Sequence, residues 1–223
     1  MNPAKGQPLS VVLDFDGTIT VDDIGDKVIE KFASDGWQDA YRRLLVGELA
    51  VGEAWAIEAN HLNRADERAM VDFAITQART RPGLAAFLEF AARRGVAVEV
   101  ASSGFHFYVD AIMRREGMDG TARARPTVRW DQSGRGVLAF GDGLRDCAST
   151  ALCKCDRIWS HRRNGRRVVF VGDGFSDVCA ATQADVLLAR GKLAELAPRL
   201  GLEFRPFDDF FDVKREVQRL LSE

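Results

Sequence analysis

Polar residues gather where short apolar runs end. Asp14-Phe15-Asp16-Gly17-Thr18 follows Val11, Val12 and Leu13, and Ser102-Ser103-Gly104 follows VAVEVA at 96–101. Asp173 and Asp177 follow VVFV at 168–171, and Lys154 lies shortly before that run. A continuous apolar run closed by a Gly turn reads as a strand buried on both faces. In an open α/β sheet, ligands bind beyond the carboxyl ends of the strands. These residues therefore share one cleft. Carboxylates that converge repel one another and require a hard cation, and oxygen donors with water suit Mg²⁺. Such a cation leaves room for a phosphate oxygen. Ser102 and Lys154 are natural phosphate ligands, and the N–H groups of the Phe15-Asp16-Gly17 turn add an anion nest.

A carboxylate beside a cation and a phosphoryl group can attack phosphorus, with water later splitting the acyl phosphate. Asp14 is the nucleophile on this reading. Asp16, redirected by the turn, protonates the leaving oxygen and then activates water. Asp14, Asp16, Ser102 and Lys154 form the catalytic set, and Asp14, Asp16, Asp173 and Asp177 the metal set. Asp23, Gly17, Thr18, Ser103 and Gly104 form the substrate-binding set. The substrate is a small phosphomonoester. One alternative is a phosphotransferase or mutase on the same core. Another is a phosphate-binding module without turnover, which has no need of the Asp14–Asp16 pair.

The elements that position these groups alternate between strand and helix, so the sheet is mostly parallel. Val186, Leu187 and Leu188 add a fourth strand. Leu84, Phe87, Leu88 and Ala91 make a helical stripe after Pro82, placed at the first helical position, and Gly95 stops that helix. Phe210, Val213, Val217 and Leu220 line one face of a terminal helix. Residues 22–80 carry no strand pattern. Ile24, Val28 and Phe32 make one stripe, and Trp55, Ala59 and Leu62 another. The reading is a helical cap at 22–80 on a core of 1–21 and 81–223. Within 121–147, two short strands flank a Ser-Gly-Arg-Gly turn as a hairpin.

The 223 residues carry 31 Lys and Arg against 33 Asp and Glu, a net charge of -2, which argues against a nucleic-acid binder. No stretch is apolar enough for a membrane span and no secretory leader is visible, so the cytoplasm is expected. Free thiols are then expected for Cys147, Cys153, Cys155 and Cys179. The spacing of the first three fits no common zinc pattern, and Cys179 is taken for core. His106 starts a helix beside the pocket, while His61 and His161 are solvated helix residues. Trp37, Tyr41 and Trp55 divide between cap core and pocket lining. Arg162, Arg163, Arg166 and Arg167 form a solvated loop.

DFDGT at 14–18, Ser102 in ASSGF, Lys154 in CKC and GDGFSD at 172–177 come in the order of the motifs of the haloacid dehalogenase superfamily, which this sequence resembles. The resemblance implies a Rossmann-like α/β core, a small helical C1 cap and Mg²⁺ held by Asp14, the carbonyl of Asp16 and Asp173. Within the superfamily the sequence is similar to the phosphoserine-phosphatase-like branch. It is most similar there to phosphatases for hydroxyketo-methylthiopentenyl phosphate and for phosphoethanolamine or phosphocholine. Asp23 stands where phosphoserine phosphatases carry Glu, and Ser102-Ser103-Gly104 where they carry Ser-Gly-Gly.

Overall fold

The computed structural model describes residues 7–140 and 153–223. The chain runs β1 (Leu9–Leu13), α1 (Ile24–Phe32), α2 (Trp37–Leu45), α3 (Val51–Asn60), α4 (Glu67–Gln77), α5 (Leu84–Arg93), β2 (Ala97–Ala101) and α6 (His106–Arg115). It continues through β3 (Ala122–Ala124), β4 (Thr127–Trp130), β5 (Gly136–Ala139), α7 (Lys154–Arg163), β6 (Arg167–Gly172), α8 (Val178–Ala181), β7 (Val186–Ala189), α9 (Gly191–Leu196), β8 (Arg205–Pro206) and α10 (Phe210–Leu220).

Six strands form one sheet in the order β3-β2-β1-β6-β7-β8, and every neighbouring pair is parallel. The fold is Rossmann-like α/β. β1 sits in the middle, with Leu13 opposite Val100 on one side and Val171 on the other. The strands that carry Asp14, Ser102 and Asp173 thus end side by side. Val11 and Leu13 pack into the larger core with Phe87, Ile112, Phe210 and Val217, while Val12 points to the opposite face with Ile158, Phe170 and Leu193. This explains why β1 reads as a continuous apolar run rather than an alternating one.

The helix expected after Pro82 begins at Leu84. Gly83, at φ 84°, is its N-cap, so Pro82 precedes the cap instead of opening the helix. The Pro82 carbonyl accepts from Phe210 N, fastening the terminal helix to it. The stripe predicted for α10 is buried at all four positions.

Between β1 and β2, residues 22–80 supply four α-helices and no strand of the sheet. The expected hairpin is present as β4–β5, in antiparallel register from Thr127–Ala139 to Trp130–Gly136. It packs on these helices. Gly136 N donates to the Leu62 carbonyl at 3.2 Å and Trp130 Nε1 to Glu67 Oε2 at 3.0 Å. Among the described residues no helix is long and apolar enough to cross a membrane.

The Arg-rich stretch divides. Arg162 and Arg163 are solvated as expected but end α7 rather than a loop, Arg162 pairing with Asp185. Arg167 pairs with Glu223, while Arg166 donates to the carbonyls of Leu9 and Gly95 and so ties down the start of β1. His161, expected in solvent, sits 2.8 Å from the buried Glu99 carboxylate. Cys155 and Cys179, expected as free thiols, are joined as a disulfide between α7 and α8. Cys147 lies outside the described residues.

Candidate active site

Asp14 follows the last residue of β1, and its carboxylate meets Lys154 Nζ at 2.5 Å. Lys154, the first residue of α7, is 1 % exposed and also contacts Asp177 at 2.6 Å and Ser176 Oγ at 3.2 Å. Asp177 is fully buried. Its second oxygen accepts from the N–H groups of Asp173 and Gly174 at 2.9 and 3.0 Å. It therefore fixes both the lysine and the turn that carries Asp173. Asp173 in turn accepts from the Thr18 hydroxyl at 2.8 Å.

Gly17 adopts φ 74°, and a Cβ there would come within 2.8 Å of Asp173 Cγ, so only glycine lets the two segments meet. Its N–H donates to Thr20 Oγ1, which removes one amide from the expected anion nest. Arg81, which sequence reasoning missed, lies buried behind this turn. It donates to the carbonyls of Gly17 at 2.8 Å, Thr18 at 3.0 Å and Val21 at 3.3 Å.

Asp16 turns the other way. It accepts from the Tyr108 hydroxyl at 2.6 Å and from Ile24 N at 3.0 Å. Tyr108 was missed because it sits on an apolar stripe of α6 and is buried like a core residue. Gly104 leaves the space for this bond, since a Cβ there would lie 2.5 Å from Asp16 Oδ2. Ser102 Oγ accepts from Gly104 N at 2.9 Å. Ser103 Oγ is buried, has no hydrogen-bond partner among the described residues, and borders the cavity.

A cavity of about 250 Å³ opens above these groups. Asp14, Asp16, Asp23, Ser103, Gly104 and Asp173 line it from the predicted set. Gly17, Thr18, Ser102, Lys154 and Asp177 stand behind the lining. The helices of the insert contribute an apolar wall that includes Ile29, Leu44, Val51 and Trp55, together with Tyr41, Asp26 and Glu58. Trp37 packs into the core instead. His106 begins α6 as expected but points away from the cavity, accepting from Val128 N at 3.2 Å.

Burial dominates the electrostatics. It raises Asp14 well above the carboxylate range, aided by Asp177 and opposed by Lys154. Burial and Asp23 lift Asp16 to about 8, against the Tyr108 hydrogen bond. Desolvation and Asp177 lift Asp173 to about 6. Desolvation would lower Lys154, but Asp14 and Asp177 outweigh it and keep the ammonium charged. Asp14, Asp173 and Asp177 present carboxylate oxygens within 4.8 Å of one another. One ammonium does not neutralise three such acids, and an all-oxygen set fits a hard divalent cation.

A parallel α/β core carries a buried carboxylate–lysine cluster at its strand ends, under a partly apolar cavity. With the family match and the relatives named as phosphatases, this is a Rossmann-like hydrolase of phosphoric monoesters. The chain belongs to the haloacid dehalogenase-like hydrolases, which residues 11–182 match. It is 31% identical over 220 residues to 2-hydroxy-3-keto-5-methylthiopentenyl-1-phosphate phosphatase of Geobacillus thermodenitrificans, covering 95% of this chain and 96% of that one. The protein of the same name from Brevibacillus brevis is 27% identical, covering 96% and 97%. A substrate-bound phosphoserine phosphatase structure shares the fold with a TM-score of 0.71 at 15% identity, covering 95% of this chain and 99% of that one.

Proposed function

We propose that this hydrolase is a Mg²⁺-dependent phosphatase that works through an aspartyl-phosphate on Asp14, in the cytoplasm, on a small phosphorylated metabolite. The observation that carries the reading is the division of labour between Asp14 and Asp16. The first is held at 2.5 Å by an ammonium and faces the cavity. The second meets no ammonium among the described residues, accepts from the Tyr108 hydroxyl at 2.6 Å, is lifted to about 8 by burial and Asp23, and faces the same cavity from the other side.

An Asp14 oxygen attacks phosphorus while the P–O bond to the alcohol breaks, and Asp16 gives its proton to the departing oxygen. A water oxygen then attacks the same phosphorus. Asp16, now a carboxylate, takes the water proton, and the P–O bond to Asp14 breaks to release phosphate. Lys154 holds Asp14 in place and offsets charge on the phosphoryl oxygens. The Ser102 and Ser103 hydroxyls donate to them. Asp14 and Asp173 would hold Mg²⁺ together with the Asp16 carbonyl, and Asp177 would steady that set through Lys154 and the Asp173 amide. The cation supplies Lewis-acid charge neutralisation. Residues 22–80 act as a cap over the core of 1–21 and 81–223 and exclude water.

The relatives' substrate, a methylthiopentenyl phosphate, suits the cavity. Ile29, Leu44, Val51 and Trp55 offer an apolar wall, and the carboxyl groups of Asp23 and Glu58 offer polar contacts. The test is phosphate release from a panel of phosphomonoesters with Mg²⁺ or chelator, including 2-hydroxy-3-keto-5-methylthiopentenyl 1-phosphate and phosphorylated amines. Release that depends on Mg²⁺ and disappears in Asp14→Asn supports the mechanism, and the preferred ester names the substrate. Transfer of the phosphoryl group to an added alcohol in preference to water would replace hydrolysis with phosphotransfer.

A further inference from the structure

Three sulfurs gather behind the lysine of the active site. Cys153 is the N-cap of α7, Cys155 its second residue, and Cys179 lies in α8. Cys153 and Cys155 are buried and Cys179 is half-buried. The three Sγ atoms lie within 4.8 Å of one another. Cys155 and Cys179 are disulfide-paired across a sequence separation of 24 with Cα atoms 6.2 Å apart. The disulfide joins two of these sulfurs, and the third converges on the same point.

A cation accounts for all three. With metal–sulfur bonds of about 2.3 Å, the sulfurs of a tetrahedral site stand roughly 3.8 Å apart, within the observed spread. The amide-rich end of a helix favours negative charge, and Cys153 and Cys155 sit at the start of the ten-residue α7. Among the described residues the group contains sulfur donors only, while the carboxylates of the active site form a separate group. Soft thiolates select zinc-class cations, as hard oxygens select magnesium.

We propose that in the reduced protein Cys153, Cys155 and Cys179 bind a zinc-class divalent cation. The Cys155–Cys179 disulfide is the oxidised form of the same cluster. A phosphine with one water converts its S–S bond into two thiols, the phosphine giving two electrons and becoming its oxide and the water giving two protons, and binding then releases the thiol protons. The ligands span α7 and α8, so the ion fastens the segment that carries Lys154 to the one that follows Asp177, whose side chains meet at 2.6 Å. The inference does not depend on the phosphatase mechanism.

The test uses the full chain, reduced with a phosphine and stripped of metal with a chelator. It is titrated with Co²⁺ as a spectroscopic probe, then with Zn²⁺ against a chromophoric competitor. The expected result is a near-ultraviolet sulfur-to-cobalt band that saturates at one ion per chain, is displaced by Zn²⁺ and is indifferent to excess Mg²⁺. Cys179→Ser weakens Zn²⁺ by about tenfold or more, and Asp14→Asn leaves the band unchanged. Absence of a thiolate band from the reduced wild type overturns the proposal without reference to any variant. So does a band of full strength in Cys179→Ser, or a Cys155–Cys179 bond that survives the phosphine as a crosslink only.

Discussion

The strand ends and the helices of the insert both bring carboxylates to the cavity, but they hold them differently. At the strand ends each acid has a fixed partner. Asp14 and Asp177 share Lys154, Asp177 also caps two amides, and Asp173 takes the Thr18 hydroxyl. On the insert side, no Lys or Arg among the described residues pairs with Asp23, Asp26 or Glu58. Asp23 accepts from Asp26 N. Desolvation first, then neighbouring carboxylates, lift the three to about 7, 6 and 8: Asp26 acts on Asp23 and Glu58, and Asp16 and Glu30 act on Asp26. Groups with partners are positioned before any ligand arrives, as chemistry requires. Groups without them gain most from a ligand, as recognition requires. The wall of the core therefore sets the rate, and the wall of the insert sets the preference.

The largest effect expected from this contrast is at Asp14. Asp14→Asn lowers kcat by about 10⁴-fold or more in a phosphate-release assay, because in the proposed mechanism Asp14 alone forms the covalent bond. Lys154→Met comes next. It strands two buried carboxylates, so kcat falls by about 10²–10³-fold and folding stability by about 3 kcal/mol in denaturant titration. Near-wild-type turnover in Lys154→Met would mean that the ion pairs are only structural, and the contrast between the two walls would fail.

Much of the strand-end wall is legible in the sequence, because a strand buried on both faces must be apolar throughout and its polar end then stands out. Asp14, Asp16, Asp173 and Asp177 are found this way, and Lys154 from its place before the third strand and the order of the motifs. Tyr108 is not, because its hydroxyl reaches Asp16 only after α6 packs against the first turn, and its spacing along α6 looks like core. Arg81 and Glu58 read as ordinary surface charges until burial is known. Cys179 escapes the zinc spacing rules because it comes from another helix than Cys153 and Cys155. The partners of Arg166 and His161 are likewise set by the sheet edge and by Glu99, which local sequence does not announce. Local pattern thus reveals what backbone burial demands, and long-range pairing reveals itself only in three dimensions.

Tyr108 lies between the two walls and offers a sharper test. Tyr108→Phe removes the donor to Asp16 and leaves the ring packing in place. It is expected to lower kcat by about tenfold on alkyl phosphates and by less on a nitrophenyl phosphate, whose leaving group needs no proton. Equal losses on both would place Tyr108 in binding rather than in support of the acid.

The smallest effect is expected at Glu58, and it bears on the insert wall alone. Glu58 is 5 % exposed, and burial with the Asp26 and Asp23 carboxylates raises it from 4.5 to about 8. The folded protein thus holds a proton that the unfolded chain releases near 4.5. The stability this proton contributes is complete below about pH 4.5 and is lost as pH rises through about 8. Glu58→Gln keeps the shape without the charge. Its stability relative to wild type therefore improves between pH 5 and pH 9, by on the order of 2 kcal/mol, measured as paired thermal or denaturant unfolding at each pH. Turnover should hold, while KM for the preferred ester rises a few fold, about the worth of one hydrogen bond. A stability difference that stays flat across this range would show that Glu58 already has a compensating partner, and the insert wall would then be as fully paired as the strand ends.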